Sequence, residues 1–224
     1  MKRHLGIQIA GACAVTAAVL VAASTAPSHV AKAEPGGDSR IELGFAAAPF
    51  HLNLAHKNPA LVGLGSYYVN VVGDCNGCHS AGPPTQYVKG GNPYMNQPKQ
   101  VNPATYLGGG RDFGPLIPNS AHIISRNLTP DSSGLPIGGD SFDEFVHTIR
   151  TGIDPDRLHP TCSGAPNADC IPLPFDGNLL QVMPWPGMKN LSEHDLRAIY
   201  EYLSAIPCVQ GNDPQDAANR CGGS

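Results

Sequence analysis

Apolar residues recur at helical spacing in three stretches of this chain and almost nowhere else. The first opens at Asn58-Pro59, a capping residue followed by Pro at the first helical position. Leu61, Leu64, Tyr68 and Val71 then repeat at the period of a helix that runs down to Gly73. The second spans about Ser141 to Thr151. Ser141 and Glu144 match a capping box, and Phe142, Phe145, Val146 and Ile149 form one apolar stripe that Gly152 stops. In the third, Ser192 and Asp195 match the capping pattern, with Leu191 and Leu196 placed as a hydrophobic staple. Leu196, Ile199 and Leu203 continue its buried face, and Pro207 ends the run. Between the first two helices lies a Gly-, Pro- and Asn-rich region of about residues 80–140, too long and too polar for a plain connection. Its expected task is to wrap a large apolar ligand. Ala121 to Ser125 is the one stretch that reads as a short strand, and 34–57 reads only as a lead-in.

The first 33 residues have a different pattern. Lys2 and Arg3 precede an uncharged apolar stretch from Leu5 to Ala23, and Ala31-Lys32-Ala33 is a small-x-small cleavage pattern. The expectation for 1–33 is a secretory signal peptide; an uncleaved membrane anchor is the alternative. Cys13 is not a lipoprotein cysteine on this reading, because Ala10 stands where such signals carry Leu. Residues 1–33 hold three basic and no acidic side chains, so eleven basic and eighteen acidic ones remain, a formal charge of about −7. That surface argues against nucleic acid and favours partners with a basic docking face. No later segment is long and apolar enough to span a bilayer.

Gly and Pro number 26 and 22 of 224 residues, and charged residues are 14%, a composition of few helices set in much ordered loop. Six cysteines follow Cys13. Cys75 and Cys78 belong to one motif, and Cys162, Cys170, Cys208 and Cys221 form two sequence-local couples. Three pairings of these four are possible. The local one, 162 with 170 and 208 with 221, is expected because each brackets a loop rich in Pro, Gly, Asn and Asp. Disulfides also fit an exported, oxidising location.

Cys75-Asn76-Gly77-Cys78-His79 is a C-x-x-C-H haem attachment signature. Two thiols at this spacing add across the two porphyrin vinyl groups, and the adjoining imidazole reaches the iron from one side. Asn76 and Gly77 are small enough for the turn between them. A thioredoxin-like site would place the cysteines at the start of a helix rather than after one, and a zinc site would want a second close pair. The cofactor expected is one covalent haem c, with His79 as one axial ligand. Met, His or an open position could complete the iron. The methionines available are Met95, Met183 and Met188; His122 and His159 keep a bis-His arrangement open. Arg111, Arg126 and Trp185 are candidates to hydrogen-bond the haem propionates.

Met183-Pro184-Trp185, followed by Leu191-Ser192-Glu193-His194-Asp195-Leu196 and on to Leu203, resembles the distal-ligand loop and closing helix of the monohaem class I cytochrome c domain. Asn127-Leu128-Thr129-Pro130-Asp131, with Phe142-Asp143-Glu144-Phe145 and Arg150-Thr151-Gly152, is similar to cytochrome subunits of periplasmic dehydrogenases, the alcohol dehydrogenase group among them. The likeness covers most of 59–207. It implies Met183 as the second axial ligand and an all-α cytochrome c fold of few helices and long Gly/Pro-rich loops. The expected organisation is a signal at 1–33, a lead-in at 34–57, a cytochrome c domain at 58–207 and a disulfide-closed extension at 208–224. The implied function is that of a periplasmic electron carrier between a dehydrogenase-type donor and a downstream respiratory acceptor. Two alternatives are a tightly bound dehydrogenase subunit and a haem enzyme with an open iron position, acting on peroxide or sulfur compounds. The chain departs from the dehydrogenase group in carrying one haem motif where others often carry several, and in having Gly139-Asp140 where an aromatic residue is usual.

Overall fold

The computed structural model describes residues 38–222, so the signal segment read at 1–33 lies outside the described residues. Six α-helical pieces carry the chain: α1 (Ser39–Ala47), α2 (Pro59–Ser66), α3 (Pro83–Gln86), α4 (Phe142–Thr151), α5 (Trp185–Met188) and α6 (Glu193–Leu203). The three long periodic stretches become α2, α4 and α6. Asn58, Ser141 and Ser192 each accept a backbone N–H with the side chain, and Ser141 and Glu144 complete a reciprocal capping box. Gly152 ends α4 in the left-handed conformation at φ 76°.

The first helix differs from its sequence reading. After Ser66 the backbone continues as a π-turn over Tyr67–Val72. A π-turn holds one residue more than an α-turn, which rotates the residues beyond it by about 100°. Past Val62 and Leu64, which are buried in α2, Val69 is the residue of the turn that is buried, whereas Val71 is 48% exposed. The rotation also carries Val72 onto the wall of the large cavity described below.

Helix α1 falls in the segment read as a lead-in. Asp38 caps it by accepting from the Arg40 backbone N–H. Its Gly44 lies against Gly63 of α2, so close that a Cβ on Gly44 would stand 1.9 Å from the Gly63 carbonyl oxygen. On the other side of α2, Gly65 meets α6: a Cβ there would stand 1.9 Å from the Ala198 carbonyl oxygen. Helix α2 is thus pressed between α1 and α6 by backbone-to-backbone contact.

Leu196, Ile199 and Leu203 of α6, Phe145 and Ile149 of α4, and Val62 and Val69 share one core with Tyr106 and Leu107 from the long loop. A polar chain runs through it. Ser66 Oγ donates to the Gly44 carbonyl at 2.6 Å, and Asn70 donates to Ser66 and to the Tyr202 hydroxyl, 3.0 Å each. The Tyr106 hydroxyl donates to Asn70 Oδ1 at 2.6 Å and lies 2.7 Å from that of Tyr202. Burying these groups costs little because they find one another.

The fold is helix-rich with few helices, compatible with the cytochrome c expectation, and among the described residues it also carries one small hairpin. β1 (Asp112–Pro115) pairs antiparallel with β2 (His122–Ile124), Asp112 opposite Ile124 and Pro115 opposite His122, with an irregular register between. β2 lies within the stretch read as a possible strand. β1 contains Gly and Pro and is too short for a period-2 pattern. Cys162 pairs with Cys170 and Cys208 with Cys221, at Cα–Cα distances of 5.1 and 5.7 Å. The segment after Cys208 is fastened to the rest: Asn127 Nδ2 donates to the Val209 carbonyl, and Arg157 pairs with Asp213 and Asp216. Arg220 in turn pairs with Asp216 and donates to the Thr129 carbonyl. Among the described residues no helix is long and apolar enough to cross a membrane.

Gly65→Ala should destabilise the protein by about 1–3 kcal/mol, since the obstacle is a backbone carbonyl that no side-chain rotation can clear. At about 2–4 °C per kcal/mol for a domain of this size, thermal melting will show it. Gly164→Ala, with open space around the added methyl, should leave the melting temperature unchanged.

Candidate functional site

A mostly apolar cavity of about 560 Å³ opens between the π-turn, α4, α6, the hairpin and the loop before α5, within the range of cofactor sites. Cys75, Cys78 and His79 stand on one part of its wall. The chain reaches them through a sharp reversal: Gly73 follows the π-turn, Asp74 turns left-handed at φ 41°, and Cys75–Gly77 form one 3-10 turn. The His79 N–H donates to the Cys75 carbonyl at 3.0 Å, which closes the turn. Asn76, buried behind it, accepts from the Leu107 N–H at 2.9 Å.

The His79 ring is aimed by its far nitrogen. Nδ1 lies 2.6 Å from the carbonyl oxygen of Arg126, a partner that can only accept, so the proton is assigned to Nδ1 and Nε2 keeps its lone pair. Burial pushes the imidazole below its ordinary pKa, which holds it neutral. Both effects are what a metal-ligating histidine needs. The segment carrying Arg126 is brought there by Leu107-Gly108-Gly109-Gly110. The Gly109 N–H donates to the His79 carbonyl, the Gly110 N–H to the Ser125 carbonyl, and the Leu128 N–H to the Leu107 carbonyl. Gly109 sits at φ 68°, and a Cβ on it would lie 2.5 Å from the Asn127 nitrogen.

Cys75 and Cys78 are unpaired thiols. Burial pushes the Cys75 thiol up to about 12. Redox and zinc-binding cysteines need a thiolate stabilised near neutral pH, which the surroundings of Cys75 do not provide. Two thiols, one oriented imidazole and an apolar cavity of this volume fit a covalently bound haem.

Met183 lines the same cavity, and so does Met188; both pack against the core. Met95 lies outside it and is 67% exposed. His122 and His159 are on the cavity wall, His122 with Nδ1 2.7 Å from an Asp112 carboxylate oxygen. The three side chains read as propionate donors have other partners. Arg111 does not line the cavity; its guanidinium donates to the Gly77 carbonyl at 2.5 Å and braces the cysteine turn. The Trp185 indole N–H donates to the Leu180 carbonyl at 3.1 Å, and its ring covers Gly152. Arg126 is on the wall, but it faces Asp154 at 2.5 Å, Asp140 at 3.0 Å and Asp156 at 3.3 Å.

Those carboxylates escaped the sequence reading, as did Arg157 and Gln215, which also reach the cavity. Asp140, of the Gly139-Asp140 pair read as a departure from the dehydrogenase group, is buried. Acidic residues clustered at 140, 154 and 156 around one buried arginine leave no periodic signal.

The chain is 30% identical over 161 residues to the gluconate 2-dehydrogenase cytochrome c subunit of Pantoea cypripedii, an overlap of 71% of this chain and 26% of the relative. It is 26% identical over 172 residues to the alcohol dehydrogenase (quinone) cytochrome c subunits of Gluconacetobacter polyoxogenes and Komagataeibacter europaeus, covering 74% of this chain and 27% of each. It thus spans about a quarter of the length of the curated relatives it matches. The likeness to cytochrome subunits of dehydrogenases read from the sequence is matched by these proteins. No family model and no solved structure matches the chain.

Arg126→Met should cost about 3–5 kcal/mol in guanidinium denaturation at neutral pH, because Asp140 and Asp154 are left buried without their cation. The loss should shrink as pH falls and the carboxylates take up protons.

Proposed function

We propose that this chain is an exported c-type cytochrome that passes single electrons from a dehydrogenase-type donor to a downstream respiratory acceptor. The observation that carries the reading is the His79 ring. Its Nδ1 is tied to the Arg126 carbonyl, its Nε2 is free, and it stands beside two unpaired thiols on the wall of an apolar cavity. When bound there, haem c supplies a one-electron iron couple. Cys75 and Cys78 would hold it by thioethers, His79 and Met183 would ligate its iron, and the apolar wall would keep water away. A thioether ligand and a dry site both favour the reduced iron, which suits delivery toward a terminal acceptor. An imidazole locked in one orientation changes little between oxidation states, so little reorganisation opposes transfer.

The relatives' names favour a second form of the same reading, in which the chain works as a bound cytochrome subunit rather than a free shuttle. The chain's single motif and its quarter-length match suit one module of such a relay. The acidic surface suits a partner with a basic face. The two disulfides and the basic-then-apolar start of the sequence support export.

Met183→Ala is expected to lower the midpoint potential far more than Met188→Ala does and, unlike it, to let carbon monoxide bind the reduced iron. Redox titration and the visible spectrum read the two effects. If Met183→Ala changes neither, the thioether assignment fails, and His122 and His159 become the ligands to test. Carbon monoxide binding by the unaltered protein would turn the reading toward a haem enzyme.

A further inference from the structure

Beyond carrying electrons, this site has the parts to carry a proton with each one. We propose that Asp140 is a proton-binding site coupled to electron uptake at the haem, an inference that rests on the haem reading above. As the iron passes from ferric to ferrous with one electron from the donor, the Asp140 carboxylate takes one proton from solvent. On oxidation the electron leaves to the acceptor and the proton returns to water.

The geometry supplies the coupling. Asp140 lines the same cavity as Cys75, His79 and Met183. Its carboxylate, 9% exposed, is 3.0 Å from Arg126, the residue whose backbone carbonyl holds His79. One guanidinium there faces the carboxylates of Asp140, Asp154 and Asp156, so negative charge exceeds positive by two when all are ionised. Such a cluster holds a proton readily, and of its buried members the one less closely paired with the guanidinium is the one to take it. Asp156 is 69% exposed and solvated, and Asp154 has the shortest contact to Arg126, at 2.5 Å. Of the two buried carboxylates, Asp140 has the longer contact to Arg126. Burial, with the neighbouring carboxylates adding to it, pushes its pKa up to about 6.

The other groups facing Asp140 do not relieve it. Glu144 of α4 is acidic and engaged with the Ser141 N–H. From α6, the Tyr200 hydroxyl donates to the Asp140 backbone carbonyl rather than to the carboxylate, and Arg197 lies over the Phe142 ring. Loss of one positive charge at the iron, across a wall of low dielectric, then raises the proton affinity further. Solvent also comes within one side chain of the Asp140 carboxylate. Arg126 forms part of the wall of a second, polar cavity of about 420 Å³, lined as well by Asp156, Asp131 and Gln215. Arg126 therefore stands between the solvated carboxylate Asp156 and the buried one.

The test is spectroelectrochemical titration of the holoprotein from about pH 5 to about pH 8, a range that spans the raised carboxyl. Covalent haem is confirmed by absorbance on the same sample first. A chain with no haem overturns the haem reading and this inference together; every other outcome bears on Asp140 alone. The potential should fall as pH rises, approaching about 59 mV per pH unit, the value of a tenfold change for one electron. Asp140→Asn should flatten that slope and Asp140→Glu should keep it. A flat wild-type profile, or a wild-type slope retained in Asp140→Asn, overturns the proposal and sends the proton to a propionate or to His122. If Asp140→Asn does not fold, the redox-difference infrared spectrum decides. A protonated carboxyl band gained on reduction and shifted in Asp140→Glu supports Asp140, and its absence rules the residue out.

Discussion

The hydrogen bond between His79 Nδ1 and the Arg126 carbonyl, 2.6 Å long, is the contact on which the site's chemistry depends. A histidine ring has two nitrogens, and only a fixed partner on one makes the other a dependable ligand. Here the partner is backbone, so no side-chain rotation can withdraw it. What holds that backbone in place is a loop of three consecutive glycines, Gly108 to Gly110, hydrogen-bonded to both the His79 and the Ser125 segments. Arg126 then acts twice, with its carbonyl toward the imidazole and its guanidinium toward three aspartates.

The helices frame this arrangement. Glycines at 44, 63 and 65 let α1, α2 and α6 approach until their backbones touch, which leaves α2 no freedom to slide. The π-turn that continues α2 rephases the chain before the cysteine motif, so that Val72 and Gly73 join the cavity wall. At the far side, the segment after Cys208 packs on Asn127 and Thr129 and is fastened through Arg157 and Arg220. Its Gln215 reaches both cavities, so this extension closes the charged side of the site.

Much of this was legible from local pattern. Caps at Asn58, Ser141 and Ser192 mark α2, α4 and α6 because capping is a short-range interaction with fixed residue types. The cysteine motif is equally local. Helix α1 was harder to read: Ile41, Gly44 and Phe45 form its contact face, and their packing depends on a glycine in α2, nineteen positions after Gly44. The π-turn was invisible for a related reason, since a single inserted residue alters phase without altering composition. The surroundings of Arg111 and Trp185 depended on where loops fold: one guanidinium N–H of Arg111 and the Trp185 indole N–H each donate to a carbonyl close by. The aspartates around Arg126 come from two separated loops that only the fold brings together.

The central claim is that Cys75 and Cys78 are bound to haem, and the mass of the purified protein tests it most directly. After denaturation and acid–organic extraction the colour should stay with the polypeptide. The peptide containing residues 75–79 should be heavier by the mass of one haem, with no titratable thiol. Extraction of all colour from the chain, with two free thiols left on that peptide, would contradict the account.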